Sequence, residues 1–108
     1  FAGEGQGLGG SAAYVNDLVA AGQLGSVRAV INLDMIAYRN SPAFDVLLEG
    51  KAGVSAPLLG LLAGLVPQYT SLVAYTSTNP YGSDHIPFLN KNVNAVLLIE
   101  YEDWFNPW

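Results

Sequence analysis

The stretch Gly82-Ser83-Asp84-His85-Ile86-Pro87-Phe88 holds the one histidine of a 108-residue chain. It follows a loop rich in Ser, Thr, Asn, Pro and Gly that runs from Thr76 to Ser83. Loops at strand ends are where a rigid scaffold presents chemistry. A neutral imidazole is the commonest metal ligand among side chains, and a neighbouring carboxylate can ligate or orient alongside it. The bland alternative is a surface histidine that happens to follow an aspartate. Two more segments weigh against that alternative. Glu4 stands in the glycine-rich run Phe1-Ala2-Gly3-Glu4-Gly5-Gln6-Gly7-Leu8-Gly9-Gly10-Ser11, and Asp34 ends the apolar run Val27–Leu33. A Glu in a glycine loop, an Asp ending a buried strand and a His in a later loop could converge at one end of a sheet. Glu, Asp and His are the ligand set that suits a hydrolytic zinc. Each signal alone is weak, since many strands end in Asp because Asp favours turns.

The elements that must position these residues are legible from periodicity. Residues 11–24 read as a helix, with Ser11 as N-cap, Tyr14, Val15, Leu18 and Val19 at helical spacing, and Gly25 as the stop. Val27–Leu33 reads as a buried strand. A second strand, Ala43–Glu49, is entered through Asn40-Ser41-Pro42. Ser55-Ala56-Pro57 opens a helix to about Val66, which Pro67 then disturbs. Leu72–Thr76 is a third strand, 84–90 a short helix, and Asn94–Ile99 a fourth strand apolar enough for burial on both faces. Strands alternating with helices imply a three-layer α/β fold, its sheet largely parallel or mixed, in a single domain.

Composition narrows the function classes. The chain is 51% hydrophobic and 12% charged, a globular balance, with net charge −5. Only Arg28, Arg39, Lys51 and Lys91 are positive. That argues against a nucleic-acid surface and against anionic membranes. Cysteine is absent, so disulfides and thiolate metal sites are excluded. The compartment stays open. Tyr75, Tyr81 and Trp104 are expected in the core, Glu100, Glu102 and Asp103 at a solvated strand end, and Asp45, Glu49 and Lys51 on an exposed edge.

Taken together, the three segments resemble the co-catalytic zinc aminopeptidases, the bacterial leucyl aminopeptidases and aminopeptidase Y among them. That family carries Phe-x-Gly-Glu-Glu-x-Gly-Leu-x-Gly-Ser, Asn-Leu-Asp-Met and Ser-Asp-His-x-x-Phe, in this order. Here they correspond to residues 1–11, to Asn32-Leu33-Asp34-Met35 and to Ser83-Asp84-His85-Ile86-Pro87-Phe88. A later Asn-Pro-x-Tyr-His is met by Asn106-Pro107-Trp108, where the sequence stops. The resemblance implies a peptide substrate and two zinc ions. It makes Glu4 the general base, Asp34 a ligand of one zinc, His85 a ligand of the other, and Asp84 the residue that orients His85. It also leans towards a secreted or periplasmic setting.

The departures qualify this. The family's second Glu is Gly5 here, and its His-x-Asp motif and bridging Asp would lie before Phe1. Of five protein ligands, Asp34 and His85 remain. The expectation is therefore the C-terminal half of an aminopeptidase-like domain, with weak or absent zinc binding and no activity as an isolated chain. Two other readings stand beside it. The chain could be a structural remnant of the peptidase fold that pairs with itself or with a complementary segment. Alternatively, Gly5-Gln6-Gly7-Leu8-Gly9-Gly10 matches a G-x-G-x-x-G dinucleotide fingerprint, although almost nothing precedes Gly5 to form its strand.

Overall fold

The computed structural model describes residues 1–39 and 42–107. The expected strand entry at Asn40 and Ser41, and the closing Trp108, fall outside the described residues. Four strands form one sheet: β1 (Val30–Leu33), β2 (Asp45–Gly50), β3 (Val73–Ser77) and β4 (Ala95–Ile99). Three helices accompany them: α1 (Gly9–Ala20), α2 (Ala56–Tyr69) and α3 (Ile86–Leu89). One-turn 3-10 helices lie at Glu4–Gln6, Leu24–Ser26 and Asp103–Phe105.

The strand order is β1-β4-β2-β3, and the sheet is mixed. β1 runs parallel to β4 and β2 parallel to β3, while β2 and β4 are antiparallel. Connection type explains this. α2 carries the chain from β2 back to the start of β3, the crossover that parallel pairing requires. Between β1 and β2 no helix is found among the described residues, and the chain reverses direction there. Side chains alternate between the two sheet faces, so the register sorts them. α2 covers one face through Leu58 and Leu59, packed on Val46, Leu48 and Val96. On the other face, α1 and α3 bring Val15, Phe88 and Leu89 against Ala95, with Val30 beside them. These are the three layers of an α/β fold.

Several local readings are corrected. Ser11 is not the N-cap of α1. Leu8 holds that place at φ 62, and the Ser11 hydroxyl donates back to the Leu8 carbonyl at 3.1 Å. The helix starts earlier because Gly10 lies against the Ala2 backbone. Its N–H donates to Ala2 O at 2.8 Å, and a Cβ there would stand 2.2 Å from that oxygen. The helix also stops earlier, at Gly22 (φ +66) rather than Gly25. Glycine suits that left-handed turn because it lacks a Cβ. α2 passes through Pro67 to Tyr69, and at its end the Val66 carbonyl accepts from both the Thr70 N–H at 2.9 Å and the Thr70 hydroxyl at 2.7 Å. β4 is buried along its length except at Leu98, as its composition implies. β1 differs from expectation: Ile31 and Leu33 are 52% and 59% exposed, because α2 does not reach this edge strand.

Candidate active site

β1 and β4 run parallel and end together, and the candidate residues gather around that end. Asp34 directly follows β1 and still pairs with β4, its N–H donating to Leu98 O at 3.1 Å. Met35 then takes φ 49, a left-handed conformation that turns the chain sharply away from the strand. The Asp34 carboxylate is half-buried at the turn.

The Ser83-Asp84-His85 segment is laid over the same place by two side chains of one sheet row. Asn32, Leu97, Glu49 and Ser77 are aligned across the four strands. Their side chains therefore share the face that carries α1 and α3. Asn32 Nδ2 donates to Ser83 Oγ at 2.8 Å, and Ser83 Oγ donates to Asp34 Oδ2 at 2.8 Å. Two strands away in the order, Glu49 Oε2 accepts the Tyr81 N–H at 2.9 Å. The sheet thus grips the loop at residues 81 and 83. The chain then enters α3, with the Ile86 N–H donating to Ser83 O and the Leu89 N–H to His85 O.

His85 is fully buried, and neither ring nitrogen has a hydrogen-bond partner among the described residues. Burial pushes its pKa down to about 4, against the opposing pull of the Asp34 and Asp84 carboxylates. The imidazole is therefore neutral at pH 7 with an available lone pair. Two buried ring nitrogens without partners are costly in a finished core, and this is the state a metal ligand needs. Asp84 is buried too; its Oδ1 has no hydrogen-bond partner among the described residues, and its Oδ2 lies 3.8 Å from the Phe1 nitrogen. No hydrogen bond joins Asp84 to the His85 ring among the described residues.

Glu4 sits half-buried in its own 3-10 turn. Its loop is docked beside the site by the Gly10–Ala2 bond and by the Phe1 ring, whose centroid is 5.5 Å from Tyr14 and 6.3 Å from Phe88. The fold thus brings Asp34, Ser83 and His85 together and sets the Glu4 loop against α3. Among the described residues no recorded contact joins the Glu4 carboxylate to Asp34 or His85.

As a test for zinc, the donors fit in kind. His85 is neutral with bare nitrogens, and Asp34 keeps one carboxylate oxygen free of hydrogen bonds among the described residues. In number they fall short: the described residues contain no group of three or more His, Asp or Glu placed to hold a metal. Catalytic zinc commonly takes three protein ligands.

Sequence reasoning missed three features here. Glu49 was expected on an exposed edge but is buried, and burial raises its pKa, partly opposed by the Tyr81 N–H and reinforced by Asp103. Glu100, expected at a solvated end, is buried and accepts hydrogen bonds from the Tyr38 N–H and the Asn106 side chain. Tyr75, Tyr81 and Trp104, expected in the core, are 41%, 66% and 66% exposed. Tyr75 stacks on Tyr101 at 3.9 Å. An acid ending an apolar strand, as in Asp45–Glu49 and Ala95–Glu100, is the signal that could have flagged both buried glutamates.

Comparison with known proteins identifies the family and the fold. The model of peptidase family M28 matches residues 1–107. The LapA aminopeptidase of Legionella pneumophila is 27% identical, with a TM-score of 0.84 over 99% of this chain and 29% of its own. BSAP, a zinc aminopeptidase from Bacillus subtilis, shares the fold at 24% identity, with a TM-score of 0.73 over 100% of this chain and 27% of its own. The chain thus spans under a third of the length of either. No curated protein matches it.

Proposed function

Because the chain belongs to peptidase family M28, we propose that it is the part of a zinc-dependent aminopeptidase-like domain that carries the general base and one ligand for each of two metals. The observation that carries this reading is the fully buried His85, whose two ring nitrogens have no partner among the described residues, set beside Asp34 at the end of β1. Zinc, when bound, supplies Lewis acidity that acidifies water and polarises a peptide carbonyl. The chain's own residues do the rest. His85 and Asp34 offer a nitrogen and an oxygen donor, Ser83 orients Asp34, and Glu4 takes a proton on its carboxylate and returns it to the departing amine. The inherited reaction is hydrolysis of N-terminal peptide bonds. With two donors for two ions, we propose that the isolated chain binds zinc weakly and does not turn over.

Calorimetric titration with Zn²⁺, together with an assay on an amino-acid p-nitroanilide, tests this. Weak binding without turnover is expected. Tight stoichiometric binding that His85→Ala abolishes would mean that the chain carries more ligands than the pair.

A second reading has its own observation. The N–H groups of Val30 and Asp34 point to β4. The backbone groups of Ile31 and Leu33 therefore face the open edge of the sheet, beside their exposed apolar side chains. Such an edge recruits another strand. A second copy of the chain or a complementary segment would serve, as in a structural remnant of the peptidase fold.

A further inference from the structure

We propose that Glu49 determines specificity: with Asp103 and the aromatic wall of Tyr75, Tyr101 and Trp104 it forms a site for a cationic side chain, so that the favoured N-terminal residue is lysine or arginine. The proposal deepens the aminopeptidase reading and rests on it for the identity of the substrate. The cation site itself is argued from this chain alone.

Sheet register places the parts. Leu47 and Glu49 of β2, and Val73, Tyr75 and Ser77 of β3, share the face that carries Asn32. Asp34, two residues after Asn32, continues that face beyond the strand. α1 and α3 pack on this face at Val30 and Ala95, in the β1–β4 half. In the β2–β3 half, Val73 and Tyr75 are exposed. Tyr101 follows β4 and stacks on Tyr75, and Trp104 meets Tyr101 edge-on at 6.4 Å. The one-turn helix that carries Trp104 also brings Asp103 near enough to Glu49 to act on its charge. Glu49 lies one row of the sheet from Leu47 and Tyr75, at the foot of the aromatic wall.

Charge decides what such a site takes. Glu49 is 7% exposed, and its Oε2 accepts the Tyr81 N–H. Among the described residues no second hydrogen bond reaches this carboxylate, and no lysine or arginine pairs with it. Asp103, the neighbour that acts on it, has the same sign. A buried carboxylate with one hydrogen bond and a like charge beside it is costly, and an incoming cation relieves both defects. The rings favour the same guest, since an ammonium or guanidinium is drawn to the face of Tyr or Trp. An apolar side chain would gain the rings but leave Glu49 uncompensated. Length agrees with charge. Two strand spacings and two residue rises separate Glu49 from Asp34, about 12 Å along the sheet. The long side chain of lysine or arginine spans that gap from a carbonyl lying at Asp34, and that of leucine does not.

The test titrates the full chain, labelled for NMR and kept in EDTA, with L-argininamide, L-lysinamide and L-norleucinamide, the last an uncharged counterpart of lysine. Argininamide and lysinamide should shift the Tyr81 amide and the Tyr75 and Tyr101 ring resonances. They should bind about tenfold or more tighter than norleucinamide. Glu49→Gln should remove that preference, and Trp104→Ala, at an exposed position, should weaken binding of both cations. A urea midpoint for each variant shows that the fold is kept. Equal binding of the three amides, a preference that survives in Glu49→Gln, or no binding of any of them would overturn the proposal. Titration of the same samples with Zn²⁺ separates the two readings. A chain that selects argininamide but never responds to Zn²⁺ overturns the zinc reading and leaves the cation site standing. One that binds Zn²⁺ but does not discriminate among the amides does the reverse.

Discussion

Protonating His85 should destabilise this chain, and the size of the effect follows from its burial. The folded pKa is lowered to about 4 from an ordinary 6.5. Between these values the unfolded chain takes up a proton that the folded chain refuses, so stability falls as pH falls. Two and a half units correspond to about 3 kcal/mol once the pH is below both values, and about 2 kcal/mol is already lost at pH 5. For a domain near 100 residues that is a fall of roughly 8–16 °C in melting temperature. Buried carboxylates titrate in part of the same range, so the measured quantity is a difference. Thermal unfolding of the wild type and of His85→Gln should be compared at pH 7 and pH 5 in EDTA. The gap between them should move by about 2 kcal/mol in favour of the variant at pH 5. There is a direct check as well: His85 is the only histidine, so its Hε1 resonance is unambiguous. A midpoint between pH 6 and 7 in the folded chain, or a gap that does not change with pH, would show that burial does not hold the ring neutral.

Four other outcomes follow. Ser55 is fully buried, donating to Ala95 O at 2.7 Å and accepting from the Lys51 N–H at 2.8 Å; Ser55→Ala strands both backbone groups and should cost about 1–3 kcal/mol by urea unfolding. Gly10→Ala drives a Cβ into the Ala2 carbonyl and should cost about 1–3 kcal/mol, with faster amide exchange at residue 10 as the glycine loop lifts from α1. Because the Glu49 pKa is raised, ionisation costs stability as pH rises through it; Glu49→Gln keeps an acceptor for Tyr81 and should raise the urea midpoint at pH 7 but not at pH 4. A Cβ at Gly5 meets nothing within 4 Å, so Gly5→Glu should fold normally and tighten zinc binding in calorimetry.

The sequence by itself determined what is local. Apolar runs named all four strands, and helical spacing and proline placed α1 and α2 to within a few residues. The three motifs marked the family, which the match over residues 1–107 bears out. These features depend on a residue and its near neighbours, and so they can be read along one line. The tertiary structure decided everything that depends on the strand next door. An apolar run such as Val46–Leu48 reads the same whichever way its partner points, so the antiparallel β2–β4 pairing was open until the connections were in place. The burial of Glu49 and Glu100 depended on distant segments that supply their partners, the Tyr81 N–H for Glu49 and the Tyr38 N–H and Asn106 side chain for Glu100. The exposure of Ile31 and Leu33 was hidden because a β-branched run does not reveal that α2 stops short of it. The hydrogen bonds from Asn32 to Ser83 and from Ser83 to Asp34 join residues 51 and 49 positions apart in the chain. Only sheet register, which stacks Asn32 beside Leu97 and sets the loop above them, brings those three side chains within hydrogen-bonding distance.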